Sequence, residues 1–455
     1  MKINQTVEVK IEKMLYEGKA LARFENFPIF IDNACTNDVL KVKIEKINKN
    51  YAIASIVEII TPSKYRVMPV CSMHNVCGSC NWQYINYDRQ LVEKQNIVCE
   101  TIKHIAGIEL NVNKTVKSPK TTEYRCKIQY PIAETKVSKR ILAGYYKKNS
   151  HELINIKYCP MQDKHISEIL DFIRAEAQKL KISAYDEKSH KGILRHVIFR
   201  ESSDFKSILV IFVINSNNVT KEIKKLAEII KSAFNKIVGV CANFNTKKSN
   251  VIMGDKTVSI TGDDYYIEDL SGIRYKVSAN SFFQVNPYCA ELIFNEVKSF
   301  IELTTNNKPT ILDAYSGVSS FGIWLSPIAK KVISIEEVPQ ATQNAEINKE
   351  MNNVTNLEIM TGDASVNFEK LITIGTKFDI SLIDPPRKGC SEGALNNLVQ
   401  LTENYIIYVS CNVSTLARDM KKLNELRFEP IIVKPFDMFP NTYHIETMAV
   451  FKRKR

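Results

Sequence analysis

The strongest constraint on how this chain can fold is a rhythm in its C-terminal part. From about Asp264 onward, short apolar runs alternate with helical stretches. TILDAYS, KVISIEE, LEIMTGD, FDISLIDPP and YIIYVSC are near-continuous in β-branched and apolar residues. A strand buried on both faces has no solvent face, so it loses the in–out alternation of a surface strand. Strands of that kind separated by helices imply a doubly wound α/β sheet, Rossmann-like in pattern. Two further runs, EPIIVKPFDMF and HIETMAVFKR, extend it.

In such a sheet, ligands bind beyond the carboxyl ends of the strands. Those ends carry Asp313, Tyr315, Ser316 and Gly317, then Glu336, then Gly362 and Asp363, then 384-DPPRKG-389. An acidic residue where Glu336 stands typically bonds the ribose hydroxyls of an adenosine-containing cofactor. The dinucleotide pattern G-x-G-x-x-G is absent, because Val318 and Ser319 follow Gly317. S-adenosylmethionine is therefore favoured over a nicotinamide cofactor.

A chain of 455 residues calls for two or three domains. Residues 6–60 offer five short strand candidates, which suit a small barrel of the oligonucleotide-binding type. TPSKYR at 61–66 reads as a linker. Strands and amphipathic helices mix between about Tyr124 and Gly254, an α+β pattern. The expected division is 1–62, a β-barrel that binds RNA; 63–262, a central α+β domain; and 263–455, the cofactor domain. The part near 90–120, with a helix at about 89–105, is expected to pack on the cofactor domain.

Cys71, Cys77 and Cys80 form C-x5-C-x2-C, and Cys159 lies far along the chain in KYCPMQ. The eleven cysteines are an odd number, without an export signal at MKINQTVEVKIEK, so reduced thiols are expected rather than a disulfide framework. Tight spacing suits a metal centre, with Gly78 permitting a sharp turn, and both zinc and [4Fe–4S] accept four cysteines. His74 reads as their neighbour. Lys and Arg exceed Asp and Glu by 62 − 50 = 12, and Lys114–Lys148 holds ten basic residues against two Glu. That surplus points to an anionic partner, nucleic acid first. No apolar run reaches membrane-spanning length, so a cytoplasmic protein is expected, and nothing calls for an obligate oligomer, so a monomer is.

Together, 282-FFQVN-286, 384-DPPRKG-389, 408-YVSCNVSTLARD-419 and 437-DMFPNTYHIE-446 resemble the RNA uracil-5-methyltransferase family. The N-terminal barrel looks like that family's TRAM domain. Cys71, Cys77, Cys80 and Cys159 look like its [4Fe–4S] ligands, which makes zinc the lesser choice. Barrel and cysteines together look like the branch acting on 23S ribosomal RNA, since a transfer-RNA branch commonly lacks both. The resemblance implies Gln284, Tyr315, Glu336 and Asp384 as S-adenosylmethionine contacts, with Asp384 also near the uracil. It implies Cys411 as nucleophile and Glu446 as general base. The sequence departs from the family where Ser316 and Ser319 replace Cys and Gly, and where Val413 replaces Pro.

The chemistry accounts for these residue types. Carbon 5 of uracil is a poor nucleophile until something adds to carbon 6, and a thiolate suits that addition. A helix starting after Cys411, capped by Asn412 or Ser414, is expected to favour the thiolate. A carboxylate is then needed to remove the carbon-5 proton. Arg125, Lys127, Arg195 and Arg200 are candidate phosphate contacts, and Tyr145 and Tyr146 candidate stacking rings. The alternatives are a transfer RNA (uracil-5-)-methyltransferase and a non-catalytic RNA-binding or ribosome-assembly factor.

Overall fold

The computed structural model describes residues 1–148 and 150–454. Strands β1 (Thr6–Met14), β2 (Ala20–Phe24), β3 (Phe27–Ile31), β4 (Val39–Ile47) and β5 (Ala52–Thr61) close into a barrel in the order β1-β2-β3-β5-β4. Alternation dictates the closure: Val7, Val9 and Ile11 of β1 face inward while Glu8, Lys10 and Glu12 face out. The segment that reads as a linker is tied down instead. Buried Asp38 accepts from the Ser63 amide at 2.9 Å and pairs with Arg66 at 2.7 Å.

Helix α1 (Tyr87–Ala106) is capped by Asn86, which accepts from the Arg89 amide. Its Ile97, Val98 and Ile102 share one apolar core with Leu416 and Met420 of the C-terminal region. The middle of the chain holds β6 (Lys127–Glu134), β7 (Ile141–Tyr146), β8 (Leu153–Asn155), α2 (Lys164–Lys179), β9 (Leu194–Glu201), β10 (Ile208–Ile214), α3 (Lys221–Ala233), β11 (Ile237–Phe244) and β12 (Lys256–Gly262). They build a seven-stranded sheet in the order β12-β11-β10-β9-β6-β7-β8. Every residue of β10, ILVIFVI, is buried. Ile166 and Ile169 of α2 and Leu226 and Ile230 of α3 pack into that sheet's core.

The strand–helix rhythm begins later than the sequence suggests. Residues from Tyr265 form a hairpin, β13 (Tyr265–Leu270) and β14 (Ile273–Ser278). There follow α4 (Pro287–Thr304), β15 (Thr310–Ala314), α5 (Ser320–Leu325), β16 (Lys331–Glu336), α6 (Pro339–Met351), β17 (Leu357–Thr361), α7 (Ala364–Thr373), β18 (Phe378–Ile383), α8 (Glu392–Leu401), β19 (Thr402–Ser410), α9 (Val413–Glu425), β20 (Phe428–Phe436) and β21 (Glu446–Arg453). The seven strands run β17-β16-β15-β18-β19-β21-β20. The first five are parallel, and β21 is antiparallel to both β19 and β20. Strand order reverses between β15 and β18, the crevice where doubly wound sheets take their ligands. Among the described residues no helix is long and apolar enough to cross a membrane.

Candidate active site

Register alone brings the expected nucleophile and base together. Ser410, the last residue of β19, pairs with Thr447 of β21. The next antiparallel step sets Cys411 opposite Glu446, the first residue of β21. On the other side, Ile383 of β18 pairs with Tyr408 of β19, and Asp384 follows at once. Thiol and carboxylates therefore share one rim, on adjacent strands about 4.8 Å apart.

The loops that carry them are locked to each other. Asn412 caps α9, its Oδ1 accepting from the Ser414 and Thr415 amides at 3.0 and 3.4 Å. The Asn412 side-chain amide and the Thr415 hydroxyl both donate to the Arg387 carbonyl, each at 3.2 Å. Tyr16, from the barrel turn between β1 and β2, donates its hydroxyl to Asn412 Oδ1 at 3.1 Å. Val413, where the family has proline, is fully buried at the first helical position.

The helix end does not lower the thiol. Burial, then the Glu446 and Asp384 carboxylates, push Cys411 up to about 11, opposed only partly by Arg387. The first α9 amides are spent on Asn412 rather than directed at sulfur. Burial and Asp384 hold Glu446 well above the usual carboxylate range. Asp384 itself is pushed up to about 7 by burial and by Asp313. The Cys411 thiol thus keeps its proton at neutral pH in the free protein, and rising pH removes it. We predict that kcat/KM climbs with pH between about 6 and 9, without an early plateau. A profile already flat at pH 7 would contradict the raised thiol.

On the cofactor side, both Glu336 oxygens accept backbone amides: Gly317 at 2.8 Å and Val338 at 2.9 Å. Gln284, just before α4, donates to Asp384 Oδ2 at 3.5 Å. Tyr315, Gly317 and Ser319 all adopt left-handed backbone, with φ of 62°, 59° and 59°. Ser319 bears the conformation, which costs a non-glycine residue roughly 1–2 kcal/mol. Its hydroxyl is 2.6 Å from that of Ser334, which donates to buried Asp313 at 2.9 Å.

Sequence reasoning missed what braces the motif at 437–446. Lys94 of α1 and Asp437 are both fully buried and meet at 2.5 Å. Lys94 also donates to the Phe439 carbonyl at 3.2 Å. Asn441 accepts the Trp82 amide at its carbonyl, 3.0 Å away, and donates its own amide to Gln90 at 3.0 Å. Lys94→Met leaves Asp437 buried and uncompensated, so urea denaturation should show a loss of about 3–5 kcal/mol. The double variant Lys94→Met/Asp437→Asn should recover part of it. No loss in the single variant would remove the brace.

The comparisons with known proteins fit this geometry. The model of the tRNA (uracil-5-)-methyltransferase family matches residues 86–454, and that of the TRAM domain matches residues 1–57. The chain belongs to the tRNA (uracil-5-)-methyltransferase family. Relatives include an uncharacterized RNA methyltransferase of Clostridium acetobutylicum, 35% identical over 100% of this chain and 98% of the relative. Another, of Listeria innocua, is 36% identical over 100% of this chain and 99% of its own length. Among solved structures, the Pyrococcus abyssi tRNA (uracil-54, C5)-methyltransferase with S-adenosyl-L-homocysteine aligns at TM-score 0.74 and 26% identity. The alignment covers 98% of this chain and 100% of that one. This family member is thus an S-adenosylmethionine-dependent RNA uracil-5-methyltransferase with a TRAM barrel.

The family's other sequence signals land unevenly. Cys71, Cys77, Cys80 and Cys159 line one pocket, with His74, Arg125 and Tyr145. Gly78 makes no left-handed turn. A Cβ there would lie 3.2 Å from Lys148 Cα, a tight contact that favours glycine. Among the described residues, however, no three Cys, His, Asp or Glu side chains are grouped to hold a metal ion. The expected metal centre is therefore not shown.

The phosphate contacts are corrected more plainly. Arg195 donates inward to the Asn245 and Lys247 carbonyls at 2.8 and 2.9 Å, and buried Arg200 to that of Ser281. Arg125 and Tyr145 face the cysteine pocket, and Lys127 is pushed down to about 7 by burial and Arg200. Tyr146 donates its hydroxyl to Glu187 at 3.0 Å, yet both Tyr145 and Tyr146 also line the large cleft beside the barrel. Exposed cations sit instead at Lys147 and Lys148. With Lys19 of the barrel, His151 and the catalytic-motif Tyr443, they line a cleft of about 1050 Å³.

Proposed function

We propose that this protein methylates carbon 5 of a uridine in 23S ribosomal RNA, through a covalent bond between Cys411 and carbon 6 of the base. The observation that carries the reading is the Cys411–Glu446 juxtaposition fixed by the β19–β21 register, beside Asp384 on the cofactor rim. Cys411 loses its proton and adds to carbon 6, so that carbon 5 gains enolate character. S-adenosylmethionine supplies the methyl group. Glu446 then removes the carbon-5 proton, and the carbon–sulfur bond breaks to restore the aromatic pyrimidine and release the Cys411 thiolate. Gln284, Tyr315, Glu336 and Asp384 are the proposed cofactor contacts. The target base must leave its stack to reach this rim. The cleft beginning at Lys19 and Tyr443 offers a path for the strand, with Lys19, Lys147 and Lys148 beside the carboxylates of Glu17, Asp32 and Glu45.

The same proposal gives Cys71, Cys77, Cys80 and Cys159 to a [4Fe–4S] cluster. Four thiols in one pocket are the right donor set, and a buried guanidinium beside them suits an anionic group. When bound, the cluster would cross-link the cysteine segment to the central sheet.

Transfer RNA is the second reading, favoured by the Pyrococcus enzyme. Its alignment spans 98% of this chain, so the barrel does not discriminate between the two substrates. Mapping 5-methyluridine in ribosomal and transfer RNA from cells lacking this protein decides. Loss from 23S ribosomal RNA supports the proposal, and loss confined to transfer RNA replaces its substrate.

A further inference from the structure

Two polar groups in the cysteine pocket have no partner. Arg125 Nε and the Tyr145 hydroxyl are buried without a hydrogen bond. Neither is left free for want of neighbours. The Tyr145 ring packs at a tilt against Tyr130, centroids 5.1 Å apart, and the Tyr130 hydroxyl donates to Gln162 at 2.7 Å. The groups acting most strongly on the Arg125 charge are Tyr124, Tyr145, Cys80 and Cys159, with no carboxylate among them. A buried guanidinium without an anion is costly, and an unmade buried hydrogen bond adds roughly 1–3 kcal/mol. The chain tolerates both only where another ligand supplies the acceptor.

We infer that Arg125 and Tyr145 are hydrogen-bond donors to the metal–sulfur group held by Cys71, Cys77, Cys80 and Cys159, and that they set its reduction potential. The inference rests on the cluster reading above. An iron–sulfur group on four thiolates carries net negative charge, and its sulfurs accept hydrogen bonds. Reduction adds one more electron to it. A nearby cation and N–H or O–H donors stabilise the more negative, reduced form, so they raise the potential. Arg125 contributes charge and a directed N–H; Tyr145 contributes a dipole alone.

The test uses the full chain purified anaerobically, with iron and sulfide assayed first. Wild type, Tyr145→Phe, Arg125→Lys and Arg125→Gln are then titrated with dithionite in the presence of redox mediators. Visible absorbance and electron paramagnetic resonance follow the cluster. Tyr145→Phe and Arg125→Lys should keep their iron and sulfide and be harder to reduce than wild type. Arg125→Gln, losing the charge as well, should shift furthest. Resonance Raman of the oxidised protein reads the same hydrogen bonds, through shifted iron–sulfur stretching bands. It gives an answer even where the wild-type group resists dithionite. Wild-type potential and wild-type bands in both Tyr145→Phe and Arg125→Lys would overturn the inference while leaving the cluster in place. Wild-type protein without iron or sulfide would overturn the cluster reading itself.

Discussion

Cys411→Ala should abolish methyl transfer, lowering the rate by more than about 10⁴-fold, while the affinity for RNA stays close to wild type. The effect is that large because no other group on the rim can add to carbon 6. Asp384 and Glu446 are carboxylates, and the next thiol, Cys390, is buried against Tyr315, Tyr408 and Asp419. Binding survives because the substitution removes only a half-exposed sulfur at a strand end. The β19–β21 pairing and the Asn412 cap rest on backbone and on neighbouring side chains. A filter-binding assay beside a methyl-transfer assay separates the two effects. Turnover in this variant would remove the nucleophile from the account.

Glu446→Gln should have a different signature: a drop of roughly 10²–10⁴-fold in turnover together with a protein–RNA species that survives denaturant. The glutamine keeps the shape of the buried side chain and loses the ability to take a proton. Addition and methyl transfer still run, and the product stays bonded to sulfur. Addition should even become easier, since Glu446 is one of the two carboxylates that push the Cys411 thiol up. The species is read as a shifted band on a denaturing gel, dependent on both RNA and S-adenosylmethionine. Slow turnover with no such band would give the base's role to another group, Asp384 first.

How much of this could be read from the chain depended on whether the physics was local. The doubly wound sheet was legible because β15, β16, β18 and the second half of β19 are buried on both faces. The barrel was legible because β1 and β4 alternate. The hairpin at 265–278 was taken into the strand–helix rhythm, since YYIEDL and IRYKVS show no property that sets them apart from crossover strands. Cys411 and Glu446 were legible as motif residues. Their apposition is a matter of register, which needs the antiparallel return of β21. The sign of the thiol's shift was misread for the same reason: the Asn412 cap is local, but the two carboxylates arrive from other strands.

The basic residues failed for the opposite reason. Charge in a sequence reads as surface, yet Arg125, Arg195 and Arg200 are turned inward to a thiol pocket and to backbone carbonyls. Lys94 gave no signal at all, because its partner Asp437 lies 343 positions away. Arg387, inside DPPRKG, was in view as part of a motif without a role. Its carbonyl ties the two reactive loops, and its charge opposes the rise of Cys411.

The central claim is a bond between the Cys411 sulfur and a pyrimidine ring, and it can be caught without mutating the protein. Wild-type protein is incubated with S-adenosylmethionine and RNA carrying 5-fluorouridine at the target. Fluorine in place of the carbon-5 hydrogen leaves no proton for Glu446 to take. Nuclease and trypsin digestion then yields the peptide Gly389–Arg418, which contains both Cys390 and Cys411. Fragmentation in the mass spectrometer should place one methylated fluorouridine nucleotide on Cys411. An unmodified peptide after full methyl consumption, or the nucleotide on Cys390, would contradict the account.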